Sequence, residues 1–311
     1  MDGRIYWIDW AKFIAIILMV WAHISPLFHD QIFLFHMPLF FMISGYLYRV
    51  RERKQELLSI FYSLVVPYLI YNFIYLLPLP LGGGYQKGYI VNILLGNQEQ
   101  LCFLMRPLWF LVSLSMIRLL CILPFDIKII GLVCFALSIL LGGVTSEAET
   151  DYMQVGTSML CFPFFAVGYW LRKIPIPTMT SWYRWIAIGV CMIAFFLIIL
   201  FAGGESYNVF HCRTGRSVLL FYAVTISLSA LVLVLCSLCL NFRNHGIERL
   251  SNGTLFILAI HLILFWKIPH FPIPDYLQQF VCLLIIMFVS YWLIYFAERY
   301  CPILIGKRKQ K

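Results

Sequence analysis

Charge is the scarcest thing in this chain of 311 residues. Only 12% of it is Asp, Glu, Lys or Arg, 62% is hydrophobic, and mean hydropathy is +0.87. A soluble domain is about a quarter charged, so this scarcity excludes an ordinary soluble fold and predicts a polytopic membrane protein. Acidic residues are rarest, 14 against 23 basic ones, for a net charge of +9. The basic residues form no single stripe; they sit in the loops between apolar runs, which reads as topology and excludes a nucleic-acid partner. Metal-ligand patterning is missing too. Ten cysteines are scattered, mostly within apolar runs, and the one Cys-x-x-Cys, Cys236 to Cys239, has no second pair and no nearby His. They read as small packing residues, and no metal is expected. Gly-x-Ser-x-Gly is absent, so a nucleophile elbow is not expected. There is no internal repeat and no separate soluble domain. The first apolar segment carries Asp9 and Lys12 and lacks a basic start and a small-residue cleavage site, so it is not expected to be a cleavable signal peptide.

Apolar runs of about 20 residues mark membrane-spanning helices. The chain offers ten, at approximately 5–25, 32–49, 57–77, 108–123, 127–143, 155–171, 183–202, 217–240, 252–268 and 277–298. The expected fold class is therefore all-α, one membrane-embedded domain over 1–311 with a short basic tail at 299–311. With the N-terminus in the cytoplasm, fifteen Lys and Arg fall on inner segments, with Arg4 one more, and five on outer ones. The positive-inside rule then favours ten spans with both termini cytoplasmic. Residues 78–107 form the longest outer connection. Its stretch Tyr89 to Leu95 is apolar enough to lie in the interface or re-enter the membrane. A connection of that length is either a lid or a plain connector.

What is present against this apolar background is a short ionisable series in the first span. Asp9, Lys12 and His23 share one stripe: eleven residues separate Lys12 from His23, about three turns with almost no rotation. Charged groups inside a membrane cost about 2.5–3.5 kcal/mol each on insertion scales, so they read as functional. Asp9, three residues before Lys12, is expected to neutralise it. Lys12 lies about 16 Å from His23 at 1.5 Å per residue, so the three cannot form a compact triad. His23 is the natural proton acceptor at neutral pH and the candidate general base. A histidine bonded to a backbone carbonyl of a neighbouring helix, and a structural Asp9–Lys12 pair near the inner interface, are the alternatives from the residues alone.

Further candidates follow along the chain. His36 and Pro38 open the second span, and Ser44-Gly45 gives it a small surface on which a helix or ligand can approach closely. Arg49, Arg51, Arg53 and Lys54 make a basic cluster that suits anionic lipid headgroups or a phosphate-rich molecule such as coenzyme A. Arg106 and Trp109 stand at the outer start of the fourth span. His261 lies mid-span, with Thr254 or His23 as the expected partner. Arg118 is costly enough to need a partner that the sequence does not identify.

Taken in order, these segments resemble the acyltransferase 3 family of integral membrane acyltransferases, along the whole chain. Lys12 and His23 with Asp9 before them match a basic-x10-His arrangement. Phe40-Phe-Met-Ile-Ser44-Gly45-Tyr46-Leu matches a second-span signature, Pro67-Tyr68 a third-span Pro, Trp109-Phe-Leu a fourth-span start, and Ser251 to His261 a late Ser…His segment. The resemblance implies acyl transfer, typically of acetyl from acetyl-CoA, to a hydroxyl or amino group, with His23 catalytic and Lys12 essential. The Arg-x-x-Arg pair that many members carry before the third-span Pro is absent from Phe61-Tyr-Ser-Leu-Val-Val-Pro67, and so is the soluble esterase-like tail of some members. The expected activity is O-acetyl transfer to a sugar of a bacterial surface polysaccharide or lipid-linked glycan, in the cytoplasmic membrane. Asp9, Lys12 and His23 form the catalytic group; Lys12, Ser44, Arg51, Arg53 and Lys54 hold the donor; His36, Arg106, Trp109 and His261 hold the acceptor. The competing expectation is a polysaccharide or lipid flippase with an ionisable path, against which stands the lack of an inverted repeat or paired broken helices.

Overall fold

The computed structural model describes residues 4–74, 88–140, 151–174, isolated positions between 182 and 196, 208–215 and 217–307. Helix α1 (Tyr6–Ile24) stops where Pro26 forces the preceding Ser25 into extended backbone, at φ −132° and ψ 137°. Helix α2 (His29–Leu47) returns antiparallel beside it, with Pro38 inside. Helix α3 (Arg53–Ile74) contains a π-helical turn over Phe61–Val65. The turn lies just ahead of Pro67, whose ring would clash with the carbonyl four residues earlier in an unbroken α-helix. The short α4 (Tyr89–Leu94) is followed by α5 (Phe103–Leu120), α6 (Ile127–Leu140) and α7 (Val155–Leu171). Then come α8 (Val218–Cys239), α9 (His245–Asn252), α10 (Thr254–Lys267) and α11 (Asp275–Tyr300).

The all-α expectation holds, since the described residues contain no strand, only an isolated bridge between Asn208 and Arg213. Five described helices are long and apolar enough to cross a membrane: α1, α3, α5, α8 and α11. A sixth span is counted if α9 and α10, bent by 79° about Gly253, are taken together. The expected span at 32–49 is α2, a helix of 19 residues that includes His29, Asp30 and His36. That at 155–171 is α7, at 17 residues. The expected span 127–143 corresponds to α6, whose described part ends at Leu140, and most of 183–202 lies outside the described residues.

The α2–α7 contact is the tightest in the bundle. A Cβ on Gly45 would stand 1.9 Å from the Phe165 carbonyl oxygen, and one on Gly168 would stand 1.9 Å from that of Met42. Two glycines facing each other across the seam let the backbones touch, the small-residue packing that substitutes for a hydrophobic driving force in lipid. Around the seam lie the fully buried Phe41, Phe162, Phe164, Phe165 and Phe221.

This packing sorts the helix ends. Trp7 meets Tyr46 edge-on, Arg172 donates to the Tyr48 carbonyl, and Arg118 pairs with Glu56. The start of α1 and the ends of α2, α5 and α7 therefore share one end of the bundle, together with Arg49, Arg51, Arg53 and Lys54. The end of α1 and the starts of α2 and α5 share the other, where the histidines gather.

Candidate functional site

A cavity of about 770 Å³ opens at the histidine end. Its walls include His23 from α1, His29, Asp30, Phe33 and His36 from α2, Arg106 and Trp109 from α5, and the segment Asn208–His211. The loop residues Ser25 and Pro26 that end α1 also line it, so the turn that reverses the chain shapes the site.

The histidines share a hydrogen-bond pattern. His23 Nδ1 lies 2.8 Å from the Met19 carbonyl oxygen, His29 Nδ1 2.7 Å from that of Ala22, and His36 Nδ1 2.7 Å from that of Ile32. His261 Nδ1 meets the carbonyls of Ile257 at 3.1 Å and Leu258 at 2.9 Å. A carbonyl only accepts, so each Nδ1 carries the hydrogen and donates it. Each neutral ring therefore keeps its lone pair on Nε2. For His23 the Nδ1 bond also holds the ring against its own helix, one turn back. The carbonyl that takes the bond belongs to its own helix and not to a neighbouring one, and the bond fixes the tautomer that a general base requires.

The rings also touch one another. Phe33 is the centre, stacked on His29 at 4.2 Å and in ring contact with His23 at 5.3 Å and His36 at 5.1 Å. His23 meets His261 edge-on at 4.9 Å. Of the two partners expected for His261, the structure supplies His23. His261 is fully buried and its Nε2 has no hydrogen-bond partner among the described residues. On the opposite wall Trp109 stacks on Phe210 at 5.7 Å. The structure thus brings together His23, His36, Arg106, Trp109 and His261, which are far apart in sequence. Sequence reasoning missed His29, Asp30, Phe33 and the Asn208–His211 segment. His29 and His36 are seven residues apart with Phe33 between, two helical turns on one stripe, and that spacing was the available signal. Nothing local marks Asn208–His211, which reaches the cavity through tertiary packing alone.

Asp9 and Lys12 stand apart, toward the other end. The expected neutralisation of Lys12 by Asp9 does not take the form of a direct ion pair among the described residues. The Asp9 carboxylate accepts from Arg4 Nε at 2.7 Å and Nη2 at 3.1 Å, and from Ser251 Oγ at 2.6 Å. A forked guanidinium five residues upstream, with a hydroxyl delivered by α9, occupies the carboxylate better than one flexible ammonium does. Lys12 makes no hydrogen bond or ion pair among the described residues; Asp9 acts on it as a nearby charge.

The donor-side candidates also divide. Ser44 and Arg51 line a second, smaller cavity of about 230 Å³ at the basic end, with Tyr48, Arg49, Glu56, Ser59 and Arg118. The Ser44 hydroxyl donates to the Phe40 carbonyl at 2.7 Å, a back-bond to the preceding turn of its own helix. Arg53 and Lys54 begin α3 in exposed positions outside that cavity's wall. The partner that Arg118 requires is Glu56, at 2.6 Å from Nη2, assisted by Ser59 and Ser63. No group of three or more potential metal ligands occurs among the described residues.

The chemistry on offer is therefore a neutral base with a free Nε2 in an aromatic-walled cavity, separated along α1 from a cationic region. A family model described as an acyltransferase domain matches residues 5–296, nearly the whole chain. No curated protein and no solved structure matches.

Proposed function

Because this chain belongs to the acyltransferase 3 family and is a multi-pass membrane acyltransferase, we propose that it moves acetyl from cytoplasmic acetyl-CoA to a sugar hydroxyl. The acceptor is a bacterial surface polysaccharide or lipid-linked glycan, met at the cytoplasmic membrane. The observation that carries the reading is the bond from His23 Nδ1–H to the Met19 carbonyl. It leaves Nε2 as the base on the ring that faces the cavity.

In this reading the acceptor hydroxyl gives its proton to His23 Nε2 as its oxygen attacks the thioester carbonyl. A carbon–oxygen bond forms, the carbon–sulfur bond breaks, and the departing thiolate takes the proton back from His23. Base catalysis of this kind contributes about 10²–10⁴-fold. Phe33, Trp109 and Phe210 offer apolar faces to a sugar ring, and His36, Arg106 and His261 belong to the acceptor side. Lys12, with Ser44, Arg51, Arg53 and Lys54, faces the donor. Asp9, held by Arg4 and Ser251, supports the segment of α1 that carries Lys12.

The test is purified protein with labelled acetyl-CoA and candidate glycans. Label in the acceptor, lost on His23→Ala with normal membrane expression, supports the mechanism. Retained turnover in that variant overturns it. Glycan movement across liposomes without covalent change supports a flippase instead.

A further inference from the structure

The cavity of about 230 Å³ at the basic end holds a charge arrangement that the fold alone does not require. Arg49, Arg51 and Arg118 line it with one carboxylate, Glu56. Arg51 Nη1 and Arg118 Nη2 each donate to the Ser59 hydroxyl at 3.0 Å. Two guanidiniums on one hydroxyl repel each other unless an anion lies between them. Glu56 answers only part of that charge. Its Oε1 takes both Arg118 Nε at 2.7 Å and Nη2 at 2.6 Å, while its buried Oε2 has no hydrogen-bond partner among the described residues. Glu56 is 1% exposed. A buried ion pair is seldom a net gain over apolar packing, and a half-satisfied one less so. The Arg118 Nη1 group, meanwhile, has only a 3.4 Å contact with Ser63. The cavity is several times the about 30 Å³ share of one water molecule.

We propose that this cavity is a phosphate-binding subsite in which Arg118, Arg51 and Arg49 hold the anion and Glu56 is the internal counter-ion that keeps Arg118 in place when the anion is absent. Planar guanidiniums from two chain segments, Arg49 and Arg51 after α2 and Arg118 near the end of α5, suit bidentate capture of phosphoryl oxygens. Arg53 and Lys54 lie outside the wall and serve at most the approach. The phosphate has two sources, the phosphates of the acyl donor or an anionic lipid headgroup. The first source rests on the acyl-transfer reading; the site itself does not.

The experiment uses the full chain in phosphatidylcholine nanodiscs, titrated calorimetrically with coenzyme A, with pantetheine, which lacks every phosphate, and with pyrophosphate. If the donor supplies the phosphate, coenzyme A and pyrophosphate bind and pantetheine binds at least about tenfold more weakly than coenzyme A. Arg118→Gln then weakens coenzyme A by about tenfold or more without altering pantetheine, since a charge-assisted phosphate contact is worth about 1.5–3 kcal/mol. Glu56→Gln, which removes the competing charge and keeps Arg118, has the opposite sign and tightens coenzyme A. If the source is lipid, native mass spectrometry retains phosphatidylglycerol on the wild type and loses it in Arg118→Gln, while coenzyme A affinity is unchanged. Should Arg118→Gln fail to fold with Glu56 left unpaired, Glu56→Gln/Arg118→Gln gives a neutral pair and the same expected losses. Unchanged binding of pyrophosphate, coenzyme A and phosphatidylglycerol in a folded Arg118 variant overturns the subsite. Pyrophosphate or lipid binding without acetyl transfer to any acceptor overturns the acetyl-transfer reading and leaves the subsite standing.

Discussion

The hydrogen on Nδ1 decides what His23 is able to do. Donated to the Met19 carbonyl at 2.8 Å, it fixes both the tautomer and the direction of the ring. Asparagine at position 23 reproduces the Nδ1 donor through its amide and supplies no basic nitrogen. His23→Asn is therefore expected to keep the fold and to lower acetyl transfer by about 100-fold or more, read in the labelled-donor assay at equal expression. Asp9 shows how a residue-level expectation was redirected. Its spacing to Lys12 was legible in the sequence, but Arg4 and Ser251 compete for the same oxygens and win on geometry. Removing the hydroxyl in Ser251→Ala leaves the carboxylate short of one donor at a buried position. A loss of about 1.5–3 kcal/mol is expected, read as a lower unfolding temperature in detergent.

At the scale of elements, the α2–α7 seam and the α9–α11 clamp are the contacts that substitutions test most directly. Gly45 and Gly168 allow no Cβ, because each would meet a backbone carbonyl, which cannot rotate away as a side chain does. Gly45→Ala is expected to destabilise by about 1–3 kcal/mol or more, with Gly168→Ala similar, and the double variant to show non-additivity, since both act on one seam. Thermal unfolding of the four proteins checks this. Arg249 of α9 lies between the rings of Tyr291 and Tyr295 of α11, at 4.7 and 4.9 Å, and pairs with Glu298 at 3.6 Å. Arg249→Lys keeps the charge and loses the flat stacking surface, so a loss of about 1 kcal/mol is expected in the same measurement.

At the scale of the whole molecule, the bundle has a basic end and a histidine end. If the basic end faces the cytoplasm, Arg53→Cys in a background lacking reactive native cysteines is labelled by a membrane-impermeant maleimide only after permeabilisation. His29→Cys is labelled in intact cells. The reverse pattern would invert the topology and place donor and acceptor on the wrong sides. The segregation itself was legible, because loop charges and helix direction are written in order along the chain. The arrival of Trp109 and Phe210 at the cavity that His23 lines was not, whereas His23 was one of the two partners expected for His261.

The sequence by itself determined a membrane-embedded helical protein, its family and the ionisable stripe of α1. Hydropathy, charge and helical period are local properties, and a stripe is visible wherever spacing repeats. Only the tertiary structure decided which side chains meet. It paired Asp9 with Arg4, gave Arg118 its Glu56, set His261 against His23 and brought His29 and Asn208–His211 to the cavity. Apart from Asp9 with Arg4, five positions away, these meetings join segments far apart in the chain, and they follow from how the helices pack, which no single segment encodes.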